Sequence, residues 1–157
     1  MNFKLVAASA MTVALLAACG KKEEAAPAPA AAPAQAPAAT TIKIGHVGPT
    51  SGAIAHLGKD NENGARMAID ELNSKGLTIQ GVKVTFELLA EDDAADPKQG
   101  TAVAQKLVDA KVHGVIGHLN SGTTIPASKI YSDAGIPQIS PSATNPKYTR
   151  QGYATAF

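Results

Sequence analysis

Two segments of the chain, residues 41–47 and 82–89, alternate apolar and polar residues, which is the pattern of a half-buried β-strand. The first of them stops at Gly48 and Pro49. Two shorter segments, residues 114–116 and 136–140, are predicted as the third and fourth strands, and Pro137 in the last suits the start of a strand better than its middle.

Between these strands the apolar residues recur at helical spacing, which predicts helices over residues 61–75, 96–110 and 126–134. The second helix has the clearest start, because Asp96 can cap it, Pro97 suits its first turn and Gln99 completes a capping box. The first helix places four apolar residues on one face, at i, i+3, i+4 and i+7: Ala65, Ala68, Ile69 and Leu72.

Strands that alternate with helices predict an α/β fold, with a parallel sheet and helices on both of its faces. Ligands of such sheets bind beyond the carboxyl ends of the strands, where the strand order reverses. The candidate binding loops are therefore those that follow strands, at residues 48–59, 90–95, 117–124 and 141–150.

The first forty residues have a different composition from the rest. Lys4 precedes an apolar run at residues 5–18, which is typical of a signal peptide. The run ends Leu-Ala-Ala-Cys and resembles a bacterial lipobox, so we expect residues 1–19 to be a lipoprotein signal peptide with Cys19 acylated. The alternative is a plain secretory signal with a coincidental cysteine. Residues 20–40 form an Ala/Pro-rich linker, and residues 41–157 carry the globular signal.

Composition narrows the function classes. The chain has 14 Lys and Arg against 13 Asp and Glu, a net charge of +1, so it lacks the charge signature of a nucleic-acid binder. No G-x-S-x-G elbow or G-x-G-x-x-G loop is present, so no enzyme, catalytic residue or cofactor is predicted. The four histidines lack metal-ligand spacing and are interpreted as loop or surface residues: His46, His56, His113 and His118. Of these, His46 is also a candidate for packing in the core.

Hydroxyl groups are concentrated in two of the candidate loops. The loop at residues 117–124 offers Ser121, Thr123 and Thr124 just before a helix, where a carboxylate would fit. Alternatively, Ser121 only caps that helix. Thr144 in the loop at residues 141–146 could join Ser121 on the same ligand, although this stretch also fits ordinary turn chemistry.

Five stretches together resemble the start of the branched-chain amino-acid type of periplasmic substrate-binding protein, the type I fold of ABC importers. They lie in the family's order at residues 44–52, 64–73, 92–99, 115–119 and 139–146. The family has two α/β lobes that close on a ligand. The resemblance implies that Ser121 binds the α-carboxylate of an amino acid, that Thr144 contacts its α-ammonium or carboxylate, and that Ser142 contributes backbone groups. Leu57 stands where relatives often carry an aromatic residue that faces the ligand side chain.

Leu57 is a departure from the family that bears on selectivity for the ligand side chain, and the resemblance brings two further departures. Founding members join the loop after strand two to the loop after strand three by a disulfide, whereas these positions are Ala95 and Asn120 here, so the join is expected to rely on packing alone. The family's chains are more than twice as long, so residues 41–157 are expected to be a truncated first lobe.

The resemblance implies a lipid-anchored periplasmic protein that binds aliphatic amino acids for an ABC importer and delivers them to its permease subunits, with no enzymatic activity. The alternative is a sensory domain of the same fold in amino-acid or amide signalling.

Overall fold

The computed structural model describes residues 39–157, so the predicted signal peptide, Cys19 and nearly all of the linker lie outside the described residues. Among residues 39–157, none of the helices has the length and hydropathy of a membrane-spanning segment. In chain order the elements are β1 (Thr40–Gly48), α1 (Ala55–Ser74), β2 (Thr78–Ile79), β3 (Val82–Asp92), α2 (Pro97–Asp109), β4 (Gly114–Gly117), α3 (Ser121–Asp133), β5 (Gln138–Ile139) and α4 (Lys147–Arg150).

The strands form one five-stranded sheet in the order β2-β3-β1-β4-β5. β1 pairs in parallel with both β3 and β4, and β4 pairs in parallel with β5. Only β2, which the sequence pattern did not predict, runs antiparallel to its neighbour β3. It is joined to β3 by Gln80 and Gly81, whose φ angles of 52° and 81° are those of a type I′ hairpin turn. The predicted parallel α/β sheet is confirmed.

The two faces of the sheet are covered differently. On one face, α2 and α3 cover the main core, whose residues are Val47, Val103, Ala104, Leu107, Val112, Val115, Ala127, Tyr131 and Ile136. On the other face α1 packs against β1 and β3, which confirms helices on both sides. Beside α1 an apolar groove of about 240 Å³ stays open, and Ile139 in its lining is 57% exposed. The predicted stripe of α1 is therefore only partly covered, with Ala65 and Ile69 buried.

The start of α2 follows its local sequence closely. The Asp96 carboxylate accepts a hydrogen bond from the Gln99 backbone N–H at 2.8 Å, and Pro97 is the first helical residue, as predicted. The Gln99 side chain does not close a capping box, since it donates to the Asp92 carbonyl instead. The cap is a hydrogen bond between residues three apart in the chain, so the sequence was enough to predict it.

Two helix starts were predicted too late. α1 begins at Ala55 instead of residue 61, because the residue before it, Ile54, offers no capping side chain to mark the start. α3 begins at Ser121 instead of residue 126, because Pro126 lies inside the helix and was taken for its first turn. The short elements β5 and α4 also differ from the pattern, which gave a longer strand and no helix. The first turns of α1 and α3 therefore lie in segments that the sequence pattern predicts as loops, residues 48–59 and 117–124.

Candidate functional site

The strand order reverses beside the central strand of the sheet. The chain passes from β1 to β3 on one side and then returns across β1 to β4 on the other side. The carboxyl ends of β1 and β4 therefore form a topological switch point, the place where open α/β sheets bind ligands. The segments that follow β1, β4 and β5 all meet at this edge.

A cleft of about 530 Å³ opens at the switch point. Leu57 from the first turn of α1 and Ser142 from the loop after β5 both line it, so two of the predicted site residues share one cavity. Leu57 is 45% exposed, which leaves its side chain available to a ligand. The rest of the lining contains both polar and apolar residues: Asp60, Asn61, Gly64, Ala65, Ile116 and Leu119.

Ser121, at the start of α3, and Thr144, in the loop after β5, do not belong to the lining of the cleft. Ser121 is the first residue of α3, and its hydroxyl accepts a hydrogen bond from the Asn145 N–H at 3.2 Å. The residue in the cap position is Asn120, so Ser121 does not act as the helix cap. This bond joins the two hydroxyl-bearing loops, and Thr144 is exposed next to it.

The other two hydroxyls of the first loop are not available to a ligand. Thr123 and Thr124 are fully buried, and both donate to the Asn120 carbonyl. The single hydroxyl hydrogen of Thr124 is shared between the Asn120 carbonyl and the His118 carbonyl, each 2.8 Å away. Of the three hydroxyl-bearing residues that the sequence offered here, only Ser121 is not buried.

The loop after β1 is held by an acidic side chain at the end of β3. The Asp92 carboxylate accepts hydrogen bonds from the Thr50 N–H at 2.9 Å and the Ala94 N–H at 2.8 Å. Burial acts to raise the pKa of Asp92, but these bonds and those from Ser51 outweigh it, and the pKa lies below its ordinary value. Asp92 is therefore ionised at neutral pH and orders the backbone that leads to Leu57.

A buried polar group connects the ends of β3 and β4 to α3. The Nδ1 atom of His118 lies 2.9 Å from the Asp93 carboxylate, and its Nε2 atom lies 3.2 Å from the Tyr131 hydroxyl. All three side chains are fully buried. Burial raises the pKa of Tyr131 far above its ordinary range, so its hydroxyl keeps its proton and can donate to Nε2, while Nδ1 donates to Asp93.

This buried group corrects two sequence-based expectations. His118 was interpreted as a loop or surface residue, whereas it is buried because Asp93 and Tyr131 satisfy both ring nitrogens. The loops that contain Ala95 and Asn120 were expected to be joined by packing alone. They are also joined by the hydrogen bond between Asp93 and His118, each of which lies two residues before one of these positions. The apolar surroundings of His118 in the sequence, between Ile116 and Leu119, were the available signal of its burial.

His46 is a second fully buried histidine, on the α1 side of β1. Its Nε2 atom lies 3.3 Å from the side-chain oxygen of Asn61, and its Nδ1 atom is buried without a partner. Burial lowers the pKa of His46 below 6.5, against the opposing effects of Asn61 and Glu62. The ring is therefore neutral beneath the cleft, where Asn61 forms part of the lining.

The lowered pKa predicts a pH dependence of stability. In the unfolded chain His46 takes up a proton near pH 6.5, whereas in the folded chain its lowered pKa keeps it neutral. The contribution of His46 to the free energy of unfolding is therefore full above that pH and declines as the pH falls. We expect the unfolding free energy of the unsubstituted chain, relative to a His46→Val variant, to fall between neutral pH and about pH 5. Urea unfolding at a series of pH values measures this difference, and a difference that stays constant with pH would contradict it.

Within residues 39–157, no three His, Cys, Asp or Glu side chains are grouped so that they could hold a metal ion. What the site offers is a half-apolar cleft flanked by hydroxyls and by the backbone at the start of α3. These groups can bind a small molecule that carries both an apolar part and hydrogen-bonding groups.

Comparison with known proteins gives a consistent result. A family model described as periplasmic binding protein matches residues 41–157. The Leucine-specific-binding protein of Salmonella typhimurium is 49% identical over 124 residues, which cover 79% of this chain and 33% of that protein. The chain thus spans about a third of the length of this relative.

Two solved structures are similar in fold. The branched-chain amino acid transporter substrate binding protein LivJ from Streptococcus pneumoniae, in complex with isoleucine, has a TM-score of 0.64 and 36% identity, covering 72% of this chain and 32% of that chain. An ABC transporter substrate-binding protein from Desulfitobacterium hafniense, in complex with Leu, has a TM-score of 0.63 and 38% identity, covering 74% of this chain and 33% of that chain.

Proposed function

Because this chain belongs to the periplasmic binding protein family, we propose that its α/β domain forms one wall of an amino-acid binding site in the solute-binding component of an ABC importer. The observation that carries the proposal is the cleft at the switch point, which Leu57 and Ser142 line together. The relatives support it, since one is named for binding leucine and two were solved with isoleucine or leucine.

The proposed ligand is an aliphatic amino acid. Leu57, Ile116 and Leu119 give one side of the cleft an apolar surface that suits an aliphatic side chain. The hydroxyls and backbone groups of the neighbouring loops suit the charged α-groups. In this proposal Ser121 binds the α-carboxylate, Thr144 contacts the α-ammonium or the carboxylate, and Ser142 contributes backbone groups.

The proposed partners are the membrane permease subunits of the importer, to which the protein delivers its ligand. Membership in a family of periplasmic binding proteins supports a periplasmic location. The lipobox-like sequence that ends at Cys19 supports a lipid anchor, with the Ala/Pro-rich segment as the spacer between the membrane and the binding domain. No catalytic step is part of this function.

The binding roles can be tested in a protein that has both lobes. We suggest a chimera in which residues 41–157 replace the matching third of the Leucine-specific-binding protein of Salmonella typhimurium. The chimera is expected to bind L-leucine, and Ser121→Ala and Thr144→Ala are each expected to weaken binding at least about fivefold, because each removes a hydrogen bond to a charged group. Isothermal titration calorimetry measures both effects.

Matched controls separate these roles from general damage to the fold. Ser74 and Thr101 carry hydroxyls that donate to nearby carbonyls at 2.7 Å and 2.8 Å, on the ends of α1 and α2. Ser74→Ala and Thr101→Ala should leave the affinity for L-leucine unchanged. A folded chimera that does not bind any aliphatic amino acid would refute the proposed function, and unchanged affinity in both site variants would refute the assigned roles.

A further inference from the structure

Ser140 directly follows β5 and precedes the loop that contains Ser142 and Thr144. We propose that Ser140 is a positioning residue for the binding site, because its hydroxyl fastens this loop to the carbonyl of His118. The inference rests on the proposed function and adds to it a residue that would not touch the ligand. Together, Ser140 and the His118 carbonyl are called the loop clamp below.

The clamp consists of two hydrogen bonds, one within the loop after β5 and one to the residue that follows β4. The Ser140 hydroxyl donates to the His118 carbonyl oxygen at 2.7 Å and accepts from the Ala143 N–H at 3.0 Å. One side chain therefore fixes both the start of the loop and its turn. Ser142, which lines the cleft, lies between the two ends of this connection.

The same carbonyl also holds the other hydroxyl-bearing segment. The hydroxyl of Thr124, in the first turn of α3, lies 2.8 Å from the His118 carbonyl oxygen and shares its hydrogen between this carbonyl and that of Asn120. Since α3 begins at Ser121, the carbonyl of His118 sets the position of Ser121 relative to the loop after β5. The bond between the Asn145 N–H and the Ser121 hydroxyl, at 3.2 Å, is a second and more exposed connection between the two segments.

The clamp is attached to a rigid part of the molecule. The ring of His118 is fully buried and is held by Asp93 at 2.9 Å and by Tyr131 at 3.2 Å. These two contacts restrain the residue whose carbonyl both segments share. The Ser140 and Thr124 hydroxyls connect their segments to this restrained carbonyl.

Loss of the Ser140 hydroxyl should release the loop without altering the apolar wall of the cleft. Ser140→Ala removes the acceptor of the Ala143 N–H and the donor to His118, whereas Leu57, Ile116 and Leu119 are untouched. Affinity should therefore fall by about three- to tenfold, and by the same factor for L-leucine, L-isoleucine and L-valine, because the loop contacts the groups that these ligands share. Ser140→Thr keeps a hydroxyl and should restore most of the affinity.

The first experiment measures amide hydrogen exchange by NMR in the full 157-residue chain, without ligand. In Ser140→Ala, the amides of Ala143 and Asn145 are expected to exchange at least about tenfold faster, with Ser74→Ala as the matched control and Ser140→Thr as the rescue. An Ala143 amide that is unprotected in the unsubstituted chain would overturn the clamp without any variant. Unchanged exchange in Ser140→Ala would overturn it as well.

The second experiment measures the affinity of the chimera described above for the three aliphatic amino acids. If the unsubstituted chimera does not bind, the proposed function fails, while the exchange data still decide whether the clamp exists. If it binds and Ser140→Ala binds equally well, the positioning role is wrong. A uniform loss that Ser140→Thr reverses supports it, and a loss confined to one ligand contradicts it, since that would assign Ser140 to side-chain selectivity.

Discussion

Replacing His118 with leucine is expected to lower the unfolding free energy of the protein by about 3–5 kcal/mol at neutral pH. The leucine would fill much of the same volume, but it leaves the Asp93 carboxylate buried without its closest partner, which lies 2.9 Å away in the unsubstituted protein. It also leaves the buried Tyr131 hydroxyl without the ring nitrogen at 3.2 Å. Urea unfolding followed by circular dichroism measures the loss.

This effect has a defined pH dependence. Burial acts to raise the pKa of Asp93, but the bonds from His118, the Ala95 N–H and Thr123 hold the pKa below its ordinary value of 3.8. The stabilising contribution of ionised Asp93 is therefore present above about pH 3.8 and is lost as the pH falls through the folded-state pKa. In His118→Leu the carboxylate keeps the bonds from Ala95 and Thr123 but loses that from His118, which favours its protonation, so the difference between the two proteins should shrink at acid pH.

An exposed histidine provides the matched control. His113 accepts a hydrogen bond from the Lys43 N–H at 3.1 Å but is exposed, so water can replace the lost bond in His113→Leu. That variant should retain nearly all of its stability. A loss below about 1 kcal/mol in His118→Leu, or a loss of equal size at neutral and acid pH, would contradict the importance assigned to the buried pair.

Replacing Gly58 with alanine is the second substitution for which a large loss is expected, about 3 kcal/mol or more. Gly58 is a buried residue of α1 that lies directly on the backbone of Pro49. A Cβ atom at this position would be 2.5 Å from the Pro49 carbonyl carbon and closer still to its oxygen. Because backbone atoms cannot rotate away as side-chain ends can, α1 or the loop after β1 must shift.

Gly64 in the same helix is the control for this substitution. A Cβ atom at Gly64 would meet nothing within 4 Å, so Gly64→Ala should stabilise the protein by about 0.5–1 kcal/mol through helix propensity alone. The two variants differ only in the space available, and thermal unfolding compares them directly. Equal stability of Gly58→Ala and the unsubstituted protein would mean that α1 does not approach Pro49 closely in solution.

The Gly58 contact also explains how the cleft takes its shape. Close approach of α1 to Pro49 places the first turn of the helix, with Leu57, at the carboxyl end of β1. The sequence pattern assigned this segment to a loop, because the apolar stripe that marks α1 begins only later, at Ala65. Leu57 was nevertheless predicted as a site residue through its position in the family's motif, and the structure places it in the cleft lining.

Some residues of the site could be predicted from the sequence and others could not. Ser121, Ser142 and Thr144 could be proposed because they follow predicted strands and match a family motif. Nothing in the sequence around Ser140 distinguishes it from any serine at a strand end, since its two partners are a carbonyl 22 residues earlier and an amide three residues later. Asp93 was likewise visible only as one acid in an acidic segment.

Features that depend on near neighbours in the chain could be inferred from the sequence. Alternation and helical spacing record which face of each element is buried, and the cap at Asp96 uses a bond over three residues, so the main strands and helices and the parallel sheet could be predicted, whereas the short β2 and α4 were missed. The burial of polar side chains depends on the tertiary fold. His46 was a candidate for packing and His118 has apolar neighbours in the sequence, but the partners of their ring nitrogens lie 13 to 25 residues away in the chain, and only folding brings them into contact.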